Sequence, residues 1–257
     1  MCGRMNITDN EGIRLLMDLV GMPLWPTITP RFNVAPTQTI DVLLSADDTV
    51  GLQHQSMHWG IVPTWAKPDQ FQRPLINARS ETVREKPSFR HLIDGSRCLV
   101  PVTGFYEWHR KGSDKRPFYI YPGQNNGASS VQHRAMFFGA LYQRGKDDAL
   151  QTTLLTTAAN ETMANVHHRM PVIIEPQDCL NWLAGTDRDE IDALMQPASN
   201  DTLAMHEVSS YVSNARNQGP DCSEPLVQSK NQEGGGGGCG DGSSGDGVSG
   251  AQDDFDF

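Results

Sequence analysis

The chain has 257 residues, 37% of them hydrophobic, and a formal net charge of −10. That length allows one large domain or two small ones, and no apolar run approaches the roughly 18 residues of a membrane span. The acidic total excludes a nucleic-acid partner only if the charge is evenly spread, and it is not. Residues 221–257 hold eight acids against one base, the first 220 hold 23 acids against 20 bases, and from Gly60 to Ile120 eleven Lys or Arg outnumber six Asp or Glu. A basic middle on a near-neutral body forms either a local phosphate-binding face or an ordinary solvated surface.

In chain order, DNEGIRLLMDLVG predicts a helix. Asp9 or Asn10 caps it, Ile13, Leu16, Met17 and Val20 share a stripe, and Gly21 stops it. RFNVAPTQTIDVLL is extended, with a loop at Pro36 followed by strand alternation. MHWGIVPTWAK is Pro-punctuated and predicts a loop. SETVREKPSFRHL predicts a helix capped by Ser80 and broken at Pro87. RCLVPVTGFYEWHR gives two strands joined near Thr103-Gly104, and PFYIYP, AMFFGALYQ, TTLLTTAAN and MPVIIEP give four more. PQDCLNWLAG is a helix ending at Gly185. Many short strands without βαβ alternation indicate an α+β fold, a single domain around a curved, barrel-like mixed sheet with short flanking helices. The domain is expected over 1–226. Residues 227–257, rich in Gly, Ser and Asp, have little to bury and are expected to form a disordered acidic tail.

Five cysteines, Cys2, Cys98, Cys179, Cys222 and Cys239, include no C-x-x-C pair, which argues against a disulfide framework and a zinc site. Cys98 and Cys179 lie in apolar or helical runs and read as buried small residues. The start, MCGRMNITDNEG, lacks a basic segment leading into an apolar run, and the chain is expected to be cytosolic.

Cys2 is the chemically distinctive residue. Aminopeptidases remove Met1 when the second residue is small, and Cys2 then carries a thiol two carbons from a free amine. Such a 1,2-aminothiol condenses with an aldehyde to an imine, and the thiolate closes on the imine carbon to form a thiazolidine. The two groups titrate at roughly 8 and roughly 8.5 before any tuning. Further polar residues stand in apolar or aromatic surroundings: Asn77 and Arg79 in LINARSE, Glu107 in GFYEWH, and His167, His168 and Arg169 in ANVHHRMP. A carboxylate flanked by Tyr106 and Trp108 is expected to be desolvated and suited to proton transfer. Each also has a structural reading, with Asn77 as a turn residue and Glu107 as a partner of Arg110. Adjacent histidines rarely face one ion and no third ligand is suitably spaced, so no metal is expected.

Seven segments in order, MCGR, RFNVAPTQ, WGIVPTWAK, INARSETV, CLVPVTGFYEW, HHRMPVII and NARNQGP, resemble the SRAP family from Met1 to about Glu224. The resemblance implies a sensor of abasic sites in single-stranded DNA that forms a thiazolidine crosslink through its N-terminal cysteine and shields the lesion. It implies Cys2 as nucleophile, Asn77 as the active-site amide, Glu107 as acid/base and His167 as the catalytic histidine. It places Arg4, Arg79, Trp65, Asn33 and Pro36 at DNA-contacting positions. It further implies reversal of the crosslink, lyase chemistry when the thiol is absent, self-catalysed loss of Met1, no cofactor, and a monomer acting in the cytoplasm. The family's older name leaves a rival open, a cysteine peptidase or hydrolase of the N-terminal nucleophile type. A plain single-stranded DNA-binding module and an aldehyde scavenger are the other rivals.

Overall fold

Strands dominate because the apolar runs are short, rich in Val, Ile, Phe, Tyr and Thr, and bounded by Gly, Pro and Asp. A computed structural model describes residues 2–22, 25–27, 29–46, 51–66, 73–123 and 135–226. The tail expected over 227–257 lies outside these residues, as do Met1 and Cys239. The described strands are β1 (Met5–Ile7), β2 (Arg31–Val34), β3 (Thr39–Ser45), β4 (Leu52–Trp59), β5 (Asn77–Arg79), β6 (Arg97–Val102), β7 (Gly104–Lys111), β8 (Asp114–Pro122), β9 (Met136–Arg144), β10 (Leu150–Ala158), β11 (Arg169–Pro171), β12 (Ile173–Ile174) and β13 (Leu203–Glu207). The described α-helices are α1 (Asn10–Leu19), α2 (Glu161–Ala164), α3 (Cys179–Ala184) and α4 (Arg188–Leu194).

One sheet runs β13-β8-β7-β1-β2. The other runs β11-β10-β4-β3-β6-β9-β12, and a β9–β10 pairing bends it back on itself. The ring closes unevenly: β9 and β10 share five paired residues, whereas β10 and β4 share two and β3 and β6 only Leu43 with Leu99. This is the curved, barrel-like α+β architecture that the strand pattern implies. The sheets meet where Phe105 of β7 packs edge-on against Phe138 of β9 at 5.5 Å. Around them Trp59, Trp182, Met5 and Phe137 are fully buried. Gly104 opens β7 because a side chain there has no room: a Cβ would lie 2.5 Å from the Tyr119 ring and 2.6 Å from the Ile120 carbonyl.

The first helix forms as its pattern predicts. The Asp9 side chain accepts from Gly12 N at 2.9 Å, and Ile13, Leu16 and Met17 are buried. Gly21 leaves the helix with φ +78°. Three segments differ from expectation. MHWGIVPTWAK is not all loop, since Met57–Trp59 end β4. MPVIIEP is split into two short strands at Val172. The helix expected in SETVREKPSFRHL is a 3-10 turn at Ser80–Thr82 followed by successive turns, and Ser80 is not its cap. Pro87 has no N–H to continue a ladder and restricts Lys86 before it, so α-helix does not propagate although Val83, Phe89, Leu92 and Ile93 are buried.

Candidate active site

Cys2 leads into β1 at the junction of the two sheets and is 2% exposed. Its backbone carbonyl accepts from Asn77 Nδ2 at 3.1 Å, so the second sheet holds the start of the first. Asn77 opens β5, which runs parallel to β10 with Leu154 opposite Asn77 and Thr156 opposite Arg79. Burial pushes the Cys2 thiol well above its ordinary range, and the Glu107 carboxylate adds to that. The thiol is therefore neutral in the resting site.

Glu107 stands on β7, opposite Phe118, and is 4% exposed. Burial raises its carboxyl above the usual range; the Trp108 backbone N–H acts the other way. The source of the burial differs from the sequence expectation. Successive strand side chains alternate faces, so Glu107 shares the side of Phe105 and turns away from Tyr106 and Trp108. Those two pack instead in a separate cluster with Tyr119, Val208, Val212 and Cys222. Glu107 lies on the face of β7 from which Phe105 meets Phe138 of the second sheet. Arg110, the alternative partner, is exposed and three residues further along the strand.

His167 is half-buried between α2 and β11. Its Nδ1 accepts from Arg169 N at 3.0 Å, which leaves the ring proton on Nε2 in the neutral form. The Arg169 carbonyl, 3.3 Å from the same nitrogen, becomes the acceptor when the ring is protonated. Burial is the main cause of an imidazole lowered to about 4, so His167 is neutral at pH 7. His168 is exposed and stacks on it at 4.4 Å.

The residues expected at DNA-contacting positions divide into two groups. Trp65 is 60% exposed, Arg79 and Pro36 are half-buried, and Pro36 sits in the turn completed by Thr37 at φ +69°. Arg4 and Asn33 turn inward, at 7% and 0% exposure. Arg4 Nη1 donates to Asn33 Oδ1 at 2.7 Å and to the Val212 carbonyl at 2.9 Å, and its guanidinium lies 5.7 Å from the Trp108 ring. Asn33 Nδ2 donates to the carbonyls of Val212, Asn214 and Asn217 at 3.0–3.1 Å. In this arrangement both side chains hold the 212–217 segment behind β1 and β2.

Sequence reasoning did not single out Glu81. Arg169 forks onto its carboxylate at 2.5 and 2.9 Å and donates to the Thr156 carbonyl at 2.6 Å. The available signal was an arginine two residues after His167, at the head of an apolar strand. Among the described residues, no three His, Cys, Asp or Glu form a metal-binding group, and no helix is long and apolar enough to cross a membrane.

The model of the family described as SOS response associated peptidase (SRAP) matches residues 1–215. Abasic site processing protein YoqW of Bacillus subtilis is 35% identical over 202 residues, 76% of this chain and 86% of that one. Abasic site processing protein HMCES of Gallus gallus is 31% identical over 77% of this chain and 66% of its own. Abasic site processing protein YedK of Escherichia coli is 30% identical over 88% of this chain and 100% of its own. A crystal structure of a protein from Bacteroides thetaiotaomicron superimposes with a TM-score of 0.70 at 22% identity, covering 88% of this chain and 100% of that one, and so shares the fold.

Proposed function

The chain belongs to the SRAP family, and we propose that it captures abasic sites in single-stranded DNA by closing a thiazolidine between Cys2 and the open-chain sugar aldehyde. One observation carries the reading. The Cys2 carbonyl is held by Asn77 while its thiol lies in the field of the buried Glu107 carboxyl, at the seam of the two sheets. Relatives named abasic site processing proteins at 30%, 31% and 35% identity support the same substrate.

The chemistry draws on the direction in which burial pushes each group. Loss of Met1 frees the Cys2 amine. The sugar is mostly a closed hemiacetal, and His167 Nε2 or Glu107 moves the proton that opens it. The amine adds to the aldehyde carbon. Protonated Glu107 gives its proton to the resulting hydroxyl, water leaves, and an iminium forms beside a carboxylate. That carboxylate takes the Cys2 thiol proton. The sulfur bonds to the iminium carbon, and the π electrons return to nitrogen. The net change is loss of one water, with Glu107 returned to its starting state. A carboxyl held above its usual range suits both halves of this cycle. The same steps run backward release the DNA. Without the thiol, the imine is free to proceed to β-elimination. Arg79 meets phosphate and Trp65 offers a stacking face at the mouth, while Arg4 and Asn33 hold the scaffold behind. In this reading the partner is single-stranded DNA, no metal takes part, and the protein acts as a monomer in the cytoplasm.

The hydrolase reading has the Cys2 thiol attack first, with His167 or Glu107 taking its proton. Burial keeps that thiol neutral at rest, which favours attack by the amine first. Three oligonucleotides separate the readings: one with an abasic site, the same site reduced with borohydride so that no aldehyde remains, and an intact strand. A heat-stable retarded band with the first alone is the expected result. Adducts with the other two, or turnover of peptides with no adduct, would count against it.

A further inference from the structure

β10 has a catalytic segment on each flank. β5 pairs along one edge and carries Asn77 and Arg79; β11 pairs along the other and begins at Arg169, two residues after His167. The two segments are not neighbours in any sheet, so backbone pairing alone fixes their separation only through β10. Near the end of β10 they are joined directly. Glu81, in the 3-10 turn that follows β5, accepts both arms of the Arg169 guanidinium at 2.5 and 2.9 Å. One of those arms also donates to the Thr156 carbonyl at 2.6 Å and reaches Thr156 Oγ1 at 3.3 Å. The Thr156 hydroxyl donates in turn to the Ala78 carbonyl on β5 at 3.4 Å. The Arg169 side chain is 10% exposed, whereas that of Glu81 is 48% exposed.

We propose that Glu81 is a positioning residue for His167: through the fork to Arg169 it staples the segment bearing Asn77 to the segment bearing His167 across the end of β10. The inference rests on the abasic-site reading, in which those two residues act on one aldehyde. Arg169 is the mechanical link. Its backbone N–H donates to His167 Nδ1, so whatever fixes the guanidinium also fixes the donor that assigns the imidazole tautomer. A bidentate fork holds both position and plane, which a single ammonium contact does not. A carboxylate beside a phosphate-binding surface carries an electrostatic penalty for DNA binding, so if its only influence were charge, removing it would strengthen binding and leave the chemistry unchanged or faster. The fork supplies a different reason for a carboxylate at this place. Its Arg169 partner holds the Glu81 carboxyl below the usual range, consistent with a persistent ion pair.

The test uses the full chain and two single-stranded oligonucleotides. One bears an abasic site, the other a tetrahydrofuran analogue that has no aldehyde and reports reversible binding only. Single-turnover crosslinking at saturating protein is compared for wild type, Glu81→Gln and Glu81→Asp, with Arg169→Lys as a second disruption of the fork. The expected result is a rate about tenfold lower for Glu81→Gln and Arg169→Lys. Glu81→Gln binds the analogue as tightly as wild type or more so, and Glu81→Asp recovers part of the rate. The imidazole nitrogen spectrum of His167, read without DNA, should show the Nε2–H tautomer in wild type and mixed tautomers in Glu81→Gln. An unchanged rate in Glu81→Gln, a loss that only follows weakened binding, or an unchanged His167 spectrum would overturn the staple. A wild-type protein that forms no adduct would instead overturn the abasic-site reading, and the His167 spectrum would still judge the staple.

Discussion

At the scale of the residue, burial pushes the site's titratable groups toward their uncharged forms. The Glu107 carboxyl is raised above its ordinary 4.5 by burial. The folded chain therefore keeps a proton that the unfolded chain has released, and this group's stability contribution is lost as pH rises through that window. Glu107→Gln removes the penalty. It is expected to gain about 1–2 kcal/mol in urea melts at pH 7, while crosslinking slows about 100-fold or more. A variant that is less stable, or as fast as wild type, would contradict the role given to this carboxyl. His167 works with the opposite sign. Its imidazole is lowered from 6.5 to about 4, so the folded state refuses a proton that the unfolded chain accepts. Its contribution to stability is complete above pH 6.5 and declines as pH falls toward 4. Urea melts from pH 4 to 7 should show a shallower acid-side loss in His167→Ala than in wild type; parallel curves would remove the linkage.

At the scale of the element, the N-terminal strands are held by a polar clamp as well as by sheet pairing. Asn33, fully buried on β2, accepts from Arg4 on one side of its amide and donates to three carbonyls of the 212–217 segment on the other. Asn33→Ala leaves those carbonyls and the Arg4 guanidinium short of a partner in a dry setting. The expected cost is about 2–4 kcal/mol, with faster proteolysis near residues 209–218. Unchanged stability would mean that the segment is held elsewhere. The elements themselves were largely legible. The capped helix at Asn10–Leu19 and the strand pair joined at Thr103-Gly104 follow from periodicity and turn chemistry. The helix expected after Ser80 did not form because its apolar spacing satisfies a chain of turns equally well once Pro87 interrupts the ladder.

At the scale of the whole molecule, the site exists because two sheets meet there. Residue type and apolar setting marked Cys2, Asn77, Glu107 and the His167–His168 pair as candidates, and the choice of His167 rested on the SRAP resemblance. The burial of Glu107 does not come from the Tyr106 and Trp108 that flank it in sequence, because it lies on the Phe105 face of β7 and they pack on the other. The Glu81–Arg169 fork spans 88 residues and is created by β10 having a partner on each edge, a fact no local pattern encodes. The net charge of −10 likewise misleads until its position is read, because residues 221–257 contribute eight acids and one base. The most direct measurement is the intact mass of the purified chain before and after incubation with a single-stranded oligonucleotide bearing one abasic site. The account predicts a protein lacking Met1, then a heat-stable species heavier by the oligonucleotide mass less one water, and no such species with Cys2→Ala. Retained Met1, or loss of Met1 with no adduct, would contradict it.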